Sequence, residues 1–168
     1  MRKVIIFDTS VLCCWLKVPG KSTCGGSNDR WDFTRINEKV EEELKNKSTF
    51  VLPLATIIET GNHIAQAHGN RYDIAKKLSD LILKAATETE PWAAFEHQSE
   101  LWNEKRLKEL ADKWPNLASQ GLGIGDATIK EVAEYYSEIG FNVEILTGDQ
   151  GLKVYQPAEK TIIPRRRG

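Results

Sequence analysis

The chain is short of cysteine, histidine and long apolar runs, and neither sign of charge dominates it. Each shortage removes a class of function. Three cysteines, an odd number with no Cys-x-x-Cys spacing, argue against a disulfide framework or a zinc knuckle. Cys13 and Cys14 lie in an apolar run and read as core residues, whereas Cys24 sits in a Gly-Gly-Ser loop and reads as a free thiol. Only three histidines are present. His63 falls one helical turn after Glu59 with Asn62 beside it, and its simplest role is packing or surface. Nothing resembles a Ser-His-Asp or Cys-His arrangement. No stretch approaches the ~20 apolar residues of a membrane span. The basic start Met1-Arg2-Lys3 leads into an apolar run that Asp8 stops after four residues. A signal peptide needs about 7–15 there, so a cytoplasmic protein is expected. Lysine and arginine number 23 against 24 aspartates and glutamates, for a net charge of −1, so any contact with nucleic acid has to come from local patches. There is no internal repeat and no second-domain boundary. The 168 residues, 40% hydrophobic and 28% charged, are expected to form one domain, 1–168, with a core of its own.

What is present is organised around Val4-Ile5-Ile6-Phe7-Asp8-Thr9-Ser10. The four apolar residues read as a strand buried on both faces, typical of a parallel sheet, and the polar cluster falls at its carboxyl end, where open α/β sheets place their sites. Asp8 equally suits a plain helix cap. A Gly-, Ser- and Pro-rich loop follows, part of a 17–35 insertion that reads as a mobile segment. From Asp32, the spacing Phe33, Ile36, Val40, Leu44 predicts a helix whose other face, Glu38, Lys39, Glu41, Glu42, Glu43 and Lys45, is solvated. Phe50–Leu54 reads as a second strand. Thr56 and Glu59 fit a capping box opening a helix towards Gly69. Helices are expected over 71–86, with Ile74, Leu78, Leu81 and Ile82 inward, and over 97–114, with Leu101, Leu107, Leu110, Ala111 and Trp114 inward and Pro115 as its end. The state of 90–95 is left open. A loop over 116–125 precedes a helix starting at Asp126; strands follow at 143–147 and 161–163, and then a basic tail, 164–168.

On this layout Asp8, Glu59 and Asp149 each follow a strand and Asp126 opens a helix beside one, so the four acids face a common cleft at the sheet's carboxyl edge. Two carboxylates ~5 Å apart repel by roughly 3 kcal/mol at an effective dielectric near 20. Four together call for protons or cations, and Mg²⁺ or Mn²⁺ suits an all-oxygen donor set. Gly121-Leu122-Gly123-Ile124-Gly125 superficially suggests a phosphate-cradling loop, but no strand precedes it and no Lys-Ser/Thr follows. A phosphatase with Asp8 as nucleophile would want an acid two residues on, where Ser10 stands.

Ile6-Phe7-Asp8-Thr9-Ser10, the helix-opening Glu59, Gly125-Asp126-Ala127-Thr128-Ile129 and Leu146-Thr147-Gly148-Asp149 together resemble the PIN domain, a small metal-dependent nuclease fold, in order and over nearly the whole chain. The resemblance implies a three-layer α/β/α sandwich with a mainly parallel central sheet. It implies one or two Mg²⁺ or Mn²⁺ ions and endonucleolytic hydrolysis of RNA by a metal-activated water. Carried over by position, Asp8, Glu59, Asp126 and Asp149 are the catalytic and metal-binding acids, and Ser10 and Thr147 are the hydroxyls that orient them. The implied partners are an RNA substrate, an antitoxin or other regulatory protein, and a second copy of the chain in a homodimer. Phosphate contacts would come from Arg165, Arg166 and Arg167 and from Lys105, Arg106, Lys108 and Lys113, and base stacking from Trp31, Trp92 and Trp102. The long 17–35 and 71–118 stretches, and Lys130, Glu131 and Glu134 where small residues are common, depart from the smallest members. Two other readings stay open: a catalytically silent RNA- or protein-binding module, and a structure-specific DNA nuclease.

Overall fold

Val4, Ile5, Ile6 and Phe7 are all buried, and they form the middle strand of the sheet. In the computed structural model, which describes residues 2–161, strand β1 (Lys3–Phe7) lies between β4 (Thr49–Val51) and β5 (Asn142–Leu146), parallel to both. Alternate side chains of a strand face opposite ways, and β1 uses both faces. Ile5 and Phe7 join Val11, Leu12, Ile36, Val40, Ile64 and Leu78 in one apolar layer. Val4 and Ile6 join Ile129, Val132, Ala133, Val143 and Ile145 in the other. Helices α1 (Thr9–Trp15), α2 (Phe33–Lys45), α3 (Leu54–Gln66) and α4 (Arg71–Ala86) supply the first layer, and α6 (Ile124–Glu138) the second. The result is the expected α/β/α arrangement around an all-parallel sheet. No helix of the described residues is long and apolar enough to cross a membrane.

Several local expectations are corrected. The 17–35 loop carries a small antiparallel ladder, β2 (Thr23–Cys24) on β3 (Trp31–Asp32). Strand β4 stops at Val51, and Pro53 is the residue before α3. Helix α3 therefore starts two residues ahead of Thr56, and no capping box forms. The face of α2 expected to be solvated buries Glu43, while Leu44 is exposed. The segment left open, 90–95, adds a one-residue parallel bridge, Trp92 to Phe50, beside β4. The expected 97–114 helix is a 3₁₀ segment (Phe95–Trp102) followed by α5 (Glu104–Ser119), which runs through Pro115 and buries none of its residues fully. Pro115 stands well inside α5, so it does not end the helix. Helix α6 opens at Ile124, two residues before Asp126. A short α7 (Gln150–Lys153) follows β5. Apart from Thr161, the strand expected at 161–163 lies outside the described residues, as does the 164–168 tail with Arg165, Arg166 and Arg167.

Candidate metal centre at the carboxyl edge of the sheet

The register of the sheet brings the first acid to its partner. Phe7 pairs with Leu146, and the ladder runs one bond further, with the Asp8 amide donating to the Leu146 carbonyl at 3.1 Å. The next residues, Asp8 and Thr147, therefore stand side by side. Both are buried, Asp8 to 4% exposure. Thr147 donates its hydroxyl to Asp8 Oδ2 at 2.6 Å, and Ser10 donates to the same oxygen at 2.8 Å. Asp8 precedes α1 but its side chain caps nothing there, which sets aside the plain helix-cap reading. Oδ1 is left without a protein donor among the described residues.

Thr147 also ties in the last acid, because its Oγ1 accepts from the Asp149 amide at 2.9 Å. The Asp149 carboxylate is partly engaged as a helix cap, Oδ1 accepting from the Gly151 amide at 2.7 Å. The Gly148 amide donates to Ser10 Oγ at 3.1 Å. One hydroxyl cluster thus links the ends of β1 and β5.

Glu59 arrives from α3. Thr56, in the first turn, donates to the Phe7 carbonyl at 2.7 Å and anchors that helix to the end of β1. Glu59 lies three residues on, along the same face, and its Oε2 accepts from Thr9 at 3.0 Å. Across from it, a Cβ at Gly125 would fall inside van der Waals contact with Glu59 Oε1. Glycine lets the first turn of α6 approach that carboxylate, and α6 carries Asp126 one residue later. Burial, then the charges of Asp8, Asp149 and Glu59, push the Asp126 carboxyl up from 3.8 to about 6. Among the described residues, no lysine, arginine or histidine forms an ion pair with any of the four acids. As they stand, no three His, Cys, Asp or Glu side chains among the described residues converge as ligands of one ion. By chemistry the donor set, carboxylates with hydroxyl support, fits a hard divalent cation.

The expected substrate contacts fare unevenly. Trp92 is buried in an aromatic cluster with Phe7 and Phe50, so it offers no stacking face. Trp31 is covered by the Arg35 guanidinium, 3.7 Å from its ring. Arg106 is shared among Glu109, Glu131 and Glu138 at 3.5–4.0 Å, Lys108 and Lys113 pair with Glu104 and Glu131, and Lys105 is exposed. His63 is half-buried in the last turn of α3 and Asn62 is exposed.

Three features had little or no signal in the sequence. Thr9 holds Glu59, and only its place in the Asp-Thr-Ser run hinted at it. The 17–35 loop closes on the site, since a Cβ at Gly148 would meet the Gly25 amide nitrogen at 2.6 Å and Cys24 Sγ at 2.9 Å. Burial, with Cys14 nearby, pushes the Cys24 thiol up to about 11, which disfavours the thiolate at neutral pH. A larger hollow, about 1010 Å³, opens at the opposite edge, where Lys3 and Glu43 are already paired. Comparison with protein-family models, curated proteins and solved structures gives no match.

Proposed function

We propose that the chain is a metal-dependent endoribonuclease of PIN-domain type, hydrolysing RNA phosphodiester bonds at the edge formed by Asp8, Glu59, Asp126 and Asp149. One observation carries this reading: four acids are gathered at the carboxyl edge of a parallel sheet with no protein cation paired to them among the described residues. A fold that needed these residues only for packing gains nothing from their mutual repulsion. Bound Mg²⁺ or Mn²⁺ would neutralise that charge, polarise a phosphoryl oxygen and make a water more acidic. Ser10 and Thr147 hold Asp8 by one oxygen and leave the other free. Thr9 holds Glu59 in the same manner. Such hydroxyls fix the direction in which a carboxylate presents its lone pairs. Burial and the neighbouring acids raise the Asp126 carboxyl to about 6, and a bound cation would favour its ionised form.

A second reading, a catalytically silent RNA- or protein-binding module, is favoured by Asp149 capping its own helix and by the lack of three convergent side chains among the described residues. The separating experiment is cleavage of a mixed-sequence RNA with Mn²⁺, with Mg²⁺ and with EDTA, using wild type and Asp8→Asn. The expected result is metal-dependent cleavage that Asp8→Asn reduces by more than the ~10–100-fold typical of losing an outer-sphere partner. Absence of both cleavage and metal binding in wild type would leave the silent module.

A further inference from the structure

Beside Glu59 lies a second, mostly apolar hollow that the acids do not account for. It encloses about 250 Å³, and its walls include Leu54, Ile58, Leu110, Ile124 and Trp102, with Glu59 and Gly125 at the side facing the acids. Ile58 and Ile124 are 54% and 51% exposed, large apolar surface gathered at one place on the molecule. Trp102 is 36% exposed. The other tryptophans are occupied: Trp15 and Trp92 pack on Phe7, Trp31 lies under Arg35, and Trp114 donates its indole NH to the Leu122 carbonyl. No ring or cation among the described residues is stacked on Trp102.

We infer that this hollow is a nucleobase subsite, in which Trp102 stacks one base of a single-stranded substrate. The inference rests on the nuclease reading for the identity of the substrate, and it adds where the substrate is gripped. Two observations favour a base as the occupant. The hollow is continuous with the acid edge through Glu59 and Gly125, so a strand whose phosphate lies at the acids has a nucleoside within reach of it. Its volume is below the ~300–1,000 Å³ of sites for drug-sized molecules, which suits one planar ring system. A docked amphipathic helix would instead want a row of anchors spaced over two turns. Stacking on an aromatic side chain is tolerant of sequence, because every base has a π-face.

The test begins without metal or cleavage. The indole NH signals of the five tryptophans are followed by NMR in EDTA during titration with each of the four ribonucleosides at millimolar concentration. The Trp102 signal is identified by its loss in Trp102→Phe. The expected result is a saturable shift of the Trp102 signal while those of Trp15 and Trp92 stay still. No shift with any nucleoside overturns the inference, whether or not the protein cuts RNA, and points to an apolar side chain of a protein partner as the occupant. A second measurement takes RNA cleavage with Mn²⁺. Trp102→Ala is expected to raise KM about 10-fold, the scale of one lost stacking contact, with kcat kept and Trp102→Phe close to wild type. An unchanged KM in Trp102→Ala overturns the inference and leaves the nuclease reading standing. A Trp102 shift in a protein that cuts no RNA keeps the base subsite and removes the nuclease.

Discussion

Gly125 is the residue at which packing and chemistry are most closely coupled. An alanine there places its Cβ against Glu59 Oε1 and, at 3.7 Å, against the Ala55 Cβ. The second contact is ordinary, and the first can be relieved by moving the tip of a flexible side chain. Alanine also favours a helix over glycine by about 0.5–1 kcal/mol. Gly125→Ala is therefore expected to keep its melting temperature within a few degrees while displacing Glu59 from Thr9. RNA cleavage should fall at least 10-fold, the scale of a disturbed ligand orienter. Thermal melting and cleavage measured on one preparation check this, and a cold melt with intact cleavage would contradict it. Asp126 shows the converse. Its folded pKa of about 6 lies above the ordinary 3.8, so the metal-free fold loses stability as pH rises through that window and carries the full penalty above it. Asp126→Asn removes the penalty. In EDTA at pH 8 the variant should be more stable than wild type by on the order of 1–2 kcal/mol after solvent screening, with no gain below about pH 4 and no metal-dependent cleavage. Denaturant melts at the two pH values measure the difference.

Among the elements, α2 departs furthest from its sequence pattern, and it shows what could and could not be read. Glu43, placed on a solvated face by periodicity, is 2% exposed. It accepts from Lys3 at 2.6 Å, Lys39 at 2.7 Å and Ser48 at 2.5 Å, and Glu144 shares both lysines. Burial alone would raise its pKa, but the Lys3, Lys39 and Ser48 hydrogen bonds outweigh that and hold it at about 2. A depressed folded pKa gives stability that is present in full above 4.5 and is lost as pH falls towards 2. Glu43→Ala, which leaves Lys3 and Lys39 to Glu144 alone and the Ser48 hydroxyl without its acceptor, is expected to lose about 2 kcal/mol near neutral pH, a fall of about 4–8 °C in melting temperature. Its deficit should shrink between pH 4.5 and pH 2, with cleavage per folded molecule unchanged. The pattern of a single segment carries no information on which distant lysine its glutamate will meet, and for that reason the α2 face was misread. The same limit hid the contact of the 17–35 loop with Gly148 and the role of Thr9. Strand β1 was legible because four consecutive apolar residues ending in a polar cluster demand burial on both faces. The positions of Asp8 and Thr147 follow from parallel register once β1 and β5 pair. The Thr56 capping box misled because the Thr56 hydroxyl is taken by the Phe7 carbonyl, whereas nothing in the structure explains why α5 runs on through Pro115.

At the scale of the whole molecule the charge is nearly balanced, −1 in total, yet it is unevenly distributed between the two edges of the sheet. At the amino edge Glu43 and Glu144 are matched by Lys3 and Lys39. At the carboxyl edge Asp8, Glu59, Asp126 and Asp149 have no cationic partner among the described residues. Stabilising the fold is a sufficient account of the first arrangement and no account of the second, since removing one of those acids relieves repulsion. The whole protein should therefore respond to divalent cations as a ligand that binds the native state alone. At a concentration ~100 times the dissociation constant, such binding adds about 2.7 kcal/mol, a rise of roughly 5–11 °C in melting temperature for a chain of this size. Wild type is expected to show this rise with Mg²⁺ and Mn²⁺ and not with the same ionic strength of KCl, because general screening acts on both edges alike. Asp8→Asn should lose the rise, and Glu43→Ala, melting lower, should keep it in full. A Mn²⁺ rise that survived Asp8→Asn would place the cation elsewhere on the surface and leave the carboxyl-edge acids without a ligand.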